Sequence, residues 1–175
     1  MSEEFLLSVL VNNQFGVLTR IAGMFARRGY NIKSLSVGET EDERVSRMTI
    51  VAHGDTRTKI QMLHQLSKQV YVRRAAALPM DSLILRELLL LKVRVPNKDA
   101  PTVISATQIY GAKVSYITGD VMIIELSDEA GIIESFIDRM KNLEVIELCR
   151  TGVTALDRGE DGISDAKYDE EQGDE

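Results

Sequence analysis

The sequence predicts an α+β protein of two ferredoxin-like βαββαβ units in tandem, each an antiparallel sheet covered on one face by two helices. Three observations carry this. Stretches of alternating polarity and stretches of helical spacing follow one another in the order βαββαβ. The same order recurs after Pro79-Met80-Asp81, giving a repeat of about 75 residues. In both halves a glycine, Gly29 or Gly111, closes the first helical stretch, where a left-handed cap is wanted.

In the first half, Phe5–Val11 alternates as a strand and runs into the turn-like Asn12-Asn13-Gln14-Phe15-Gly16. Val17, Leu18, Ile21, Met24 and Phe25 then recur at helical spacing, and Arg27 and Arg28 in the last turn suit the helix dipole. Residues 31–37 read as a strand and 38–43 as a polar turn. Residues 44–52 form a strand with Met48 and Ile50 on one side and Arg47, Thr49 and Val51 on the other. Gly54-Asp55-Thr56 opens a helix carrying Ile60, Leu63, His64 and Ser67, and residues 70–78 close the unit as a strand.

The second half runs as a strand from about Ile84 to Val95 and a helix over 100–110. Two strands at 112–117 and 121–126 flank Thr118-Gly119-Asp120. A helix at 130–140 has Ile133, Phe136, Ile137 and Met140 on one face, and a final strand spans 145–150. The expected domains are 4–79 and 82–156, followed by a disordered acidic tail at 157–175. That tail has nine acidic residues against Arg158 and Lys167, more than the net charge of −6 of the whole chain. Two helices cover only one face of each sheet, so the other face calls for a cover, and association with a second copy is expected.

Composition excludes several classes. No apolar run reaches the roughly 20 residues of a membrane helix, and the acidic start Met1-Ser2-Glu3-Glu4 is unlike a signal peptide. A basic stripe with interleaved aromatics is lacking, which argues against nucleic acid as a partner. With one cysteine there is no internal disulfide, which fits a reducing cytoplasm; Cys149 follows the apolar 145–148 and is expected to be buried. The two histidines, His53 and His64, have no metal-ligand spacing and no nearby nucleophile, and Glu39, Glu41 and Asp42 fall in a charged, solvated turn. No phosphate-binding glycine loop is present. These absences describe a binding module better than an enzyme, and no catalytic residue or metal ligand is assigned.

The segment with chemistry is the strand-to-helix junction at Asn13, Gly16, Val17 and Leu18. Unpaired N–H groups at a helix start seat a carboxylate, Gly16 allows close approach, and the Asn13 amide both donates and accepts. Asn31 and Ile32 at the next strand supply a second amide and an apolar neighbour, so that the six residues offer polar groups for an amino acid's head and Val17, Leu18 and Ile32 for an aliphatic side chain. The same residues also read as a tight turn, a cap and a strand entry with no ligand.

The runs Asn13-Gln14-Phe15-Gly16-Val17-Leu18-Thr19-Arg20, Arg27-Arg28-Gly29-Tyr30-Asn31-Ile32-Lys33-Ser34-Leu35 and Ser46-Arg47-Met48-Thr49-Ile50 resemble the small regulatory subunits of acetohydroxyacid (acetolactate) synthase, whose N-terminal half is an ACT domain. The run from Arg150 to Gly159 resembles that family's C-terminal end, so the resemblance covers residues 4–159. It implies a large catalytic partner subunit, which would hold the thiamine diphosphate, magnesium and FAD, with no cofactor in this chain. It implies activation of that partner and feedback inhibition by a branched-chain amino acid, valine being usual. It also implies that the effector lies between two ACT domains of a homodimer, with Asn13, Gly16 and Val17 of one copy facing Asn31 and Ile32 of the other. Phe15 departs from the family, which often has a small residue or proline there, and is expected to reshape the pocket. The alternative is a free-standing ACT-type amino acid sensor acting on transcription or another enzyme.

Overall fold

The computed structural model describes residues 3–160, 162 and 163. The element order is β1 (Glu3–Asn12), α1 (Val17–Arg27), β2 (Ile32–Glu39), β3 (Val45–Gly54), α2 (Thr56–Ser67), β4 (Val72–Leu78), β5 (Leu83–Arg94), α3 (Ala100–Tyr110), β6 (Lys113–Thr118), β7 (Val121–Asp128), α4 (Ala130–Met140), β8 (Glu144–Arg150) and β9 (Thr154–Asp157). Both halves are therefore βαββαβ, with β9 added. Residues up to Ile84, together with those from Ala155 on, form one compact unit, and Leu85–Thr154 form the other.

In the first unit the strands lie in the order β2-β3-β1-β4, all neighbours antiparallel. Alternation sends Leu7, Val9 and Val11 of β1 and Met48, Ile50 and Ala52 of β3 to one side. There they form a core with Ile21, Met24 and Phe25 of α1 and Met62 and Leu66 of α2. The buried face of α2 is thus Met62 and Leu66; Ile60 and His64 are exposed. Both sets have helical spacing, and only the packing against the sheet picks the phase. The opposite sheet face is not open as expected: Leu6, Ser8, Thr49 and Val51 are at most 3% exposed. In the middle of the two central strands both faces carry apolar or small side chains and are buried.

Helix α1 stops where the sequence predicts. Gly29 has φ +69°, its N–H donates to the Ala26 carbonyl and the Tyr30 N–H to the Phe25 carbonyl, both at 3.1 Å. The Phe25 and Tyr30 rings meet edge-on at 6.2 Å, supplying the apolar contact that accompanies this cap. Gly111, with φ +67°, ends α3 in the same way.

The second unit has the strand order β6-β7-β5-β8. Its core joins Leu89, Leu91 and Val93 of β5 to Ile124 and Leu126 of β7 and to Ile133, Phe136 and Met140 of α4. Here the second face is open at Leu90, and β8 is an outer strand. Cys149 is consequently exposed, not buried, because residues 144–149 of that edge are all exposed. The continuation into β9 was not expected either; Arg158 N–H donates to the Ser82 carbonyl at 2.9 Å. The acidic tail beyond it lies, at residue 161 and from 164 on, outside the described residues.

One charge pair closes the second unit. Glu87 is 6% exposed, and Arg150 donates to its two oxygens from Nε and NH2, each at 2.8 Å, while NH1 reaches Glu134. The Glu87 carboxylate, the largest influence, raises the Arg150 pKa. Removing only Arg150 leaves a buried carboxylate without its partner. Arg150→Met should therefore cost about 3 kcal/mol in urea unfolding, and Glu87→Leu in the same chain should recover most of it.

Candidate functional site

The site begins where β1 gives way to α1. Asn12 N–H donates to the Tyr71 carbonyl at 2.9 Å and Asn13 N–H to the Arg44 carbonyl at 2.8 Å, so the loop is moored on both sides. Gly16 then takes φ +82° as the residue before α1 and makes no side-chain cap. A Cβ at this position would meet nothing within 4 Å, so glycine is required by its left-handed backbone and not by crowding. The first-turn N–H groups of Leu18 and Thr19 have no acceptor within the helix. Val17 N–H reaches the Gln14 carbonyl at 3.3 Å.

The Asn13 side chain binds the β2–β3 turn. Its Nδ2 donates to Glu39 Oε1 at 3.0 Å and to the Glu43 carbonyl at 2.8 Å. The turn is itself locked by Asp42, whose Oδ1 accepts from Arg44 N–H at 3.0 Å and Nε at 2.8 Å, and whose Oδ2 accepts from Arg44 NH2 at 2.9 Å. Arg73 lies 3.8 Å from the same carboxylate and donates from Nε to Asn12 Oδ1 at 2.7 Å. These side chains surround an open cavity of about 490 Å³, lined by Asn13, Gln14, Glu39, Glu43, Arg44 and Arg73. It offers carboxylates and amides at one end of the sheet, a setting suited to a small zwitterion.

The six residues expected to form a site do not come together in one chain. Asn12 pairs with Val45 at one end of β3, whereas Ile32 pairs with Ala52 near the other. Seven residue steps along the strand separate those positions, roughly 23 Å. Asn13 and Gly16 therefore stand at one end of α1 and Asn31 and Ile32 at the opposite end. Val17 is 6% exposed and belongs to the core, as Ile32 does in part, so neither side chain is free for a ligand. Leu18 is the apolar neighbour of Gly16 that stays exposed. Phe15 points fully into solvent and does not narrow the cavity within the chain.

The N-terminal part, residues 7–74, matches the family described as the AHAS small subunit-like ACT domain, and residues 86–159 match the small subunit of acetolactate synthase. The chain belongs to the acetolactate synthase small-subunit family. A probable acetolactate synthase small subunit of Archaeoglobus fulgidus is 39% identical over 87% of this chain and 96% of its own length. The isozyme 3 small subunit of Escherichia coli is 34% identical over 89% of this chain and 96% of its own. The crystal structure of the small subunit from Thermotoga maritima superposes with a TM-score of 0.85 at 34% identity, covering 90% of this chain and 98% of that one.

The sequence pattern singled out neither Glu43, Arg44 nor Arg73, and placed Glu39 in a charged, solvated turn and not at the site. Glu39 and Glu43 lie 26 and 30 residues from Asn13, and nothing local links them to it. The Asp42–Arg44 pair had a local signal, opposite charges two apart in a tight turn. Hydrogen bonds from Arg44 hold the Asp42 carboxyl at about 2, below its ordinary 3.8. A folded value below the unfolded one means that the stabilisation is complete above 3.8 and lost as pH falls through about 2. Carbon-detected NMR should find Asp42 titrating near pH 2, with the Arg44 Nε–H signal losing protection over the same range.

Proposed function

We propose that this chain is the regulatory subunit of an acetolactate synthase: it docks on a large catalytic subunit, raises its activity, and returns feedback inhibition when a branched-chain amino acid, valine first among them, binds between two copies. Membership of the small-subunit family supports the partner. The observation that carries the effector site is the separation of its two halves along β2. That strand is one of the two outer strands of its sheet, β4 being the other. Antiparallel pairing of β2 with β2 of a second copy would bring the start of one strand to the end of the other. Asn31 and Ile32 of the second copy would then lie beside Glu39, which already holds Asn13. The halves that stand roughly 23 Å apart in one chain would meet twice in a symmetric dimer.

Regulation of this kind requires differential affinity. Valine bound across the pair favours one arrangement of the two copies, and output follows through the interface with the catalytic subunit. The amino acid's carboxylate would sit on the N–H groups at the start of α1, which Gly16 leaves open.

The test is acetolactate formation by the cognate large subunit, with and without this chain, across a valine titration. Stimulation reversed by valine is expected; stimulation without valine sensitivity would remove valine as the effector, and absence of a complex would remove the catalytic partner. Gly16→Asp places a carboxylate where the effector's carboxylate should be, without a clash, and should raise the half-inhibitory valine concentration at least about tenfold. Gly16→Asn, with the same left-handed backbone and no charge, should be less affected. Equal valine sensitivity of Gly16→Asp and the unmodified chain would refute the placement.

A further inference from the structure

An amino acid bound beside Asn13 can present either its ammonium or its carboxylate group, and the hydrogen bonds of the Asn13 side chain bear on which. A carboxamide has one face that donates and one that accepts. The two groups that Asn13 Nδ2 meets, the Glu39 carboxylate and the Glu43 carbonyl, only accept. Exchanging the amide's oxygen and nitrogen would set oxygen against oxygen at both contacts, so the orientation is fixed chemically. Both Nδ2 hydrogens are used within the chain, and among the described residues none donates to Oδ1. That oxygen is the group Asn13 offers to a ligand, and it can only accept.

The surrounding charges favour the same polarity. Arg44 and Arg73 line the cavity, but both guanidinium groups are engaged by Asp42, and Arg73 also by Asn12. Glu39 and Glu43 line it as well, and the Glu39 carboxylate contacts Asn13 directly. An ammonium group beside Asn13 Oδ1 would gain a charge-assisted hydrogen bond and attraction to Glu39, whereas a carboxylate there would face an oxygen and an anion.

Building on that reading, we propose that Glu39 is a positioning residue: by accepting from Asn13 it turns the Asn13 carbonyl oxygen outward, so that the site grips the α-ammonium group and rejects acids that lack one. Its sequence position, at the end of β2, also makes it the residue that links a β2–β2 pairing to the effector. Loss of Glu39 leaves the Glu43 carbonyl as the single acceptor holding Nδ2, so the amide is less firmly oriented, and it removes the carboxylate from beside the ammonium. A glutamine would keep an accepting oxygen within reach and preserve the orientation.

Calorimetry on the full chain with L-valine and with isovalerate, its des-amino analogue, tests this. The unmodified chain should bind valine far better than isovalerate. Glu39→Ala should weaken valine binding about tenfold and narrow the valine-to-isovalerate ratio by a similar factor, leaving isovalerate unchanged. Glu39→Gln should restore most of both. An unaltered ratio in Glu39→Ala, with valine binding lost in Asn13→Ala, would overturn the positioning role and leave the effector site standing. Normal valine binding by Asn13→Ala, or none by the unmodified chain, would remove the effector-site reading and this proposal with it.

Discussion

Everything in the first unit hangs on burial of one sheet face beneath two helices. Leu7, Val9, Val11, Met48, Ile50 and Ala52 come from the two central strands and reach the same side because strand side chains alternate. Burying a large apolar side chain contributes about 1.5–3 kcal/mol, and ordering the chain consumes most of the total. The helices are therefore held by their apolar faces, while the β1–α1 loop and the β2–β3 turn carry polar side chains. The β1–α1 loop can keep Gly16 left-handed and Phe15 in water because neighbouring β1 and α1 are anchored by that core.

Around this anchor, the polar end of the sheet is organised by a few directed bonds. Asp42 gathers Arg44 and Arg73, and Asn13 ties the first loop to the β2–β3 turn. These groups are exposed, so each bond is modest in energy. Their value is geometric. They fix which atom of each side chain faces outward.

The second unit repeats the fold and uses it differently. Its core has the same plan, with Phe136 and Tyr110 meeting edge-on at 5.3 Å. Its β5–α3 junction has no glycine before the helix, and its ion pair of Glu87 with Arg150 joins strands instead of shaping a loop. The repeated topology arises from a repeated hydrophobic pattern, and the differing chemistry from the few residues outside that pattern.

The sequence by itself determined the βαββαβ order, the ends of α1 and α3, and the cores, since alternation, helical spacing and cap glycines act over a few residues. It also determined that Asn13 and Gly16 stand at a helix start. Only the tertiary structure decided the phase of α2, the exposure of Cys149 on an outer strand, and the burial of Val17. Whether a residue is covered depends on neighbours far away in sequence. The same holds for the site. Asn31 lies close to Asn13 in the chain and far from it along the sheet, while Glu39 is farther in the chain and within a hydrogen bond. Strand register sets those distances, and register is a property of the folded sheet.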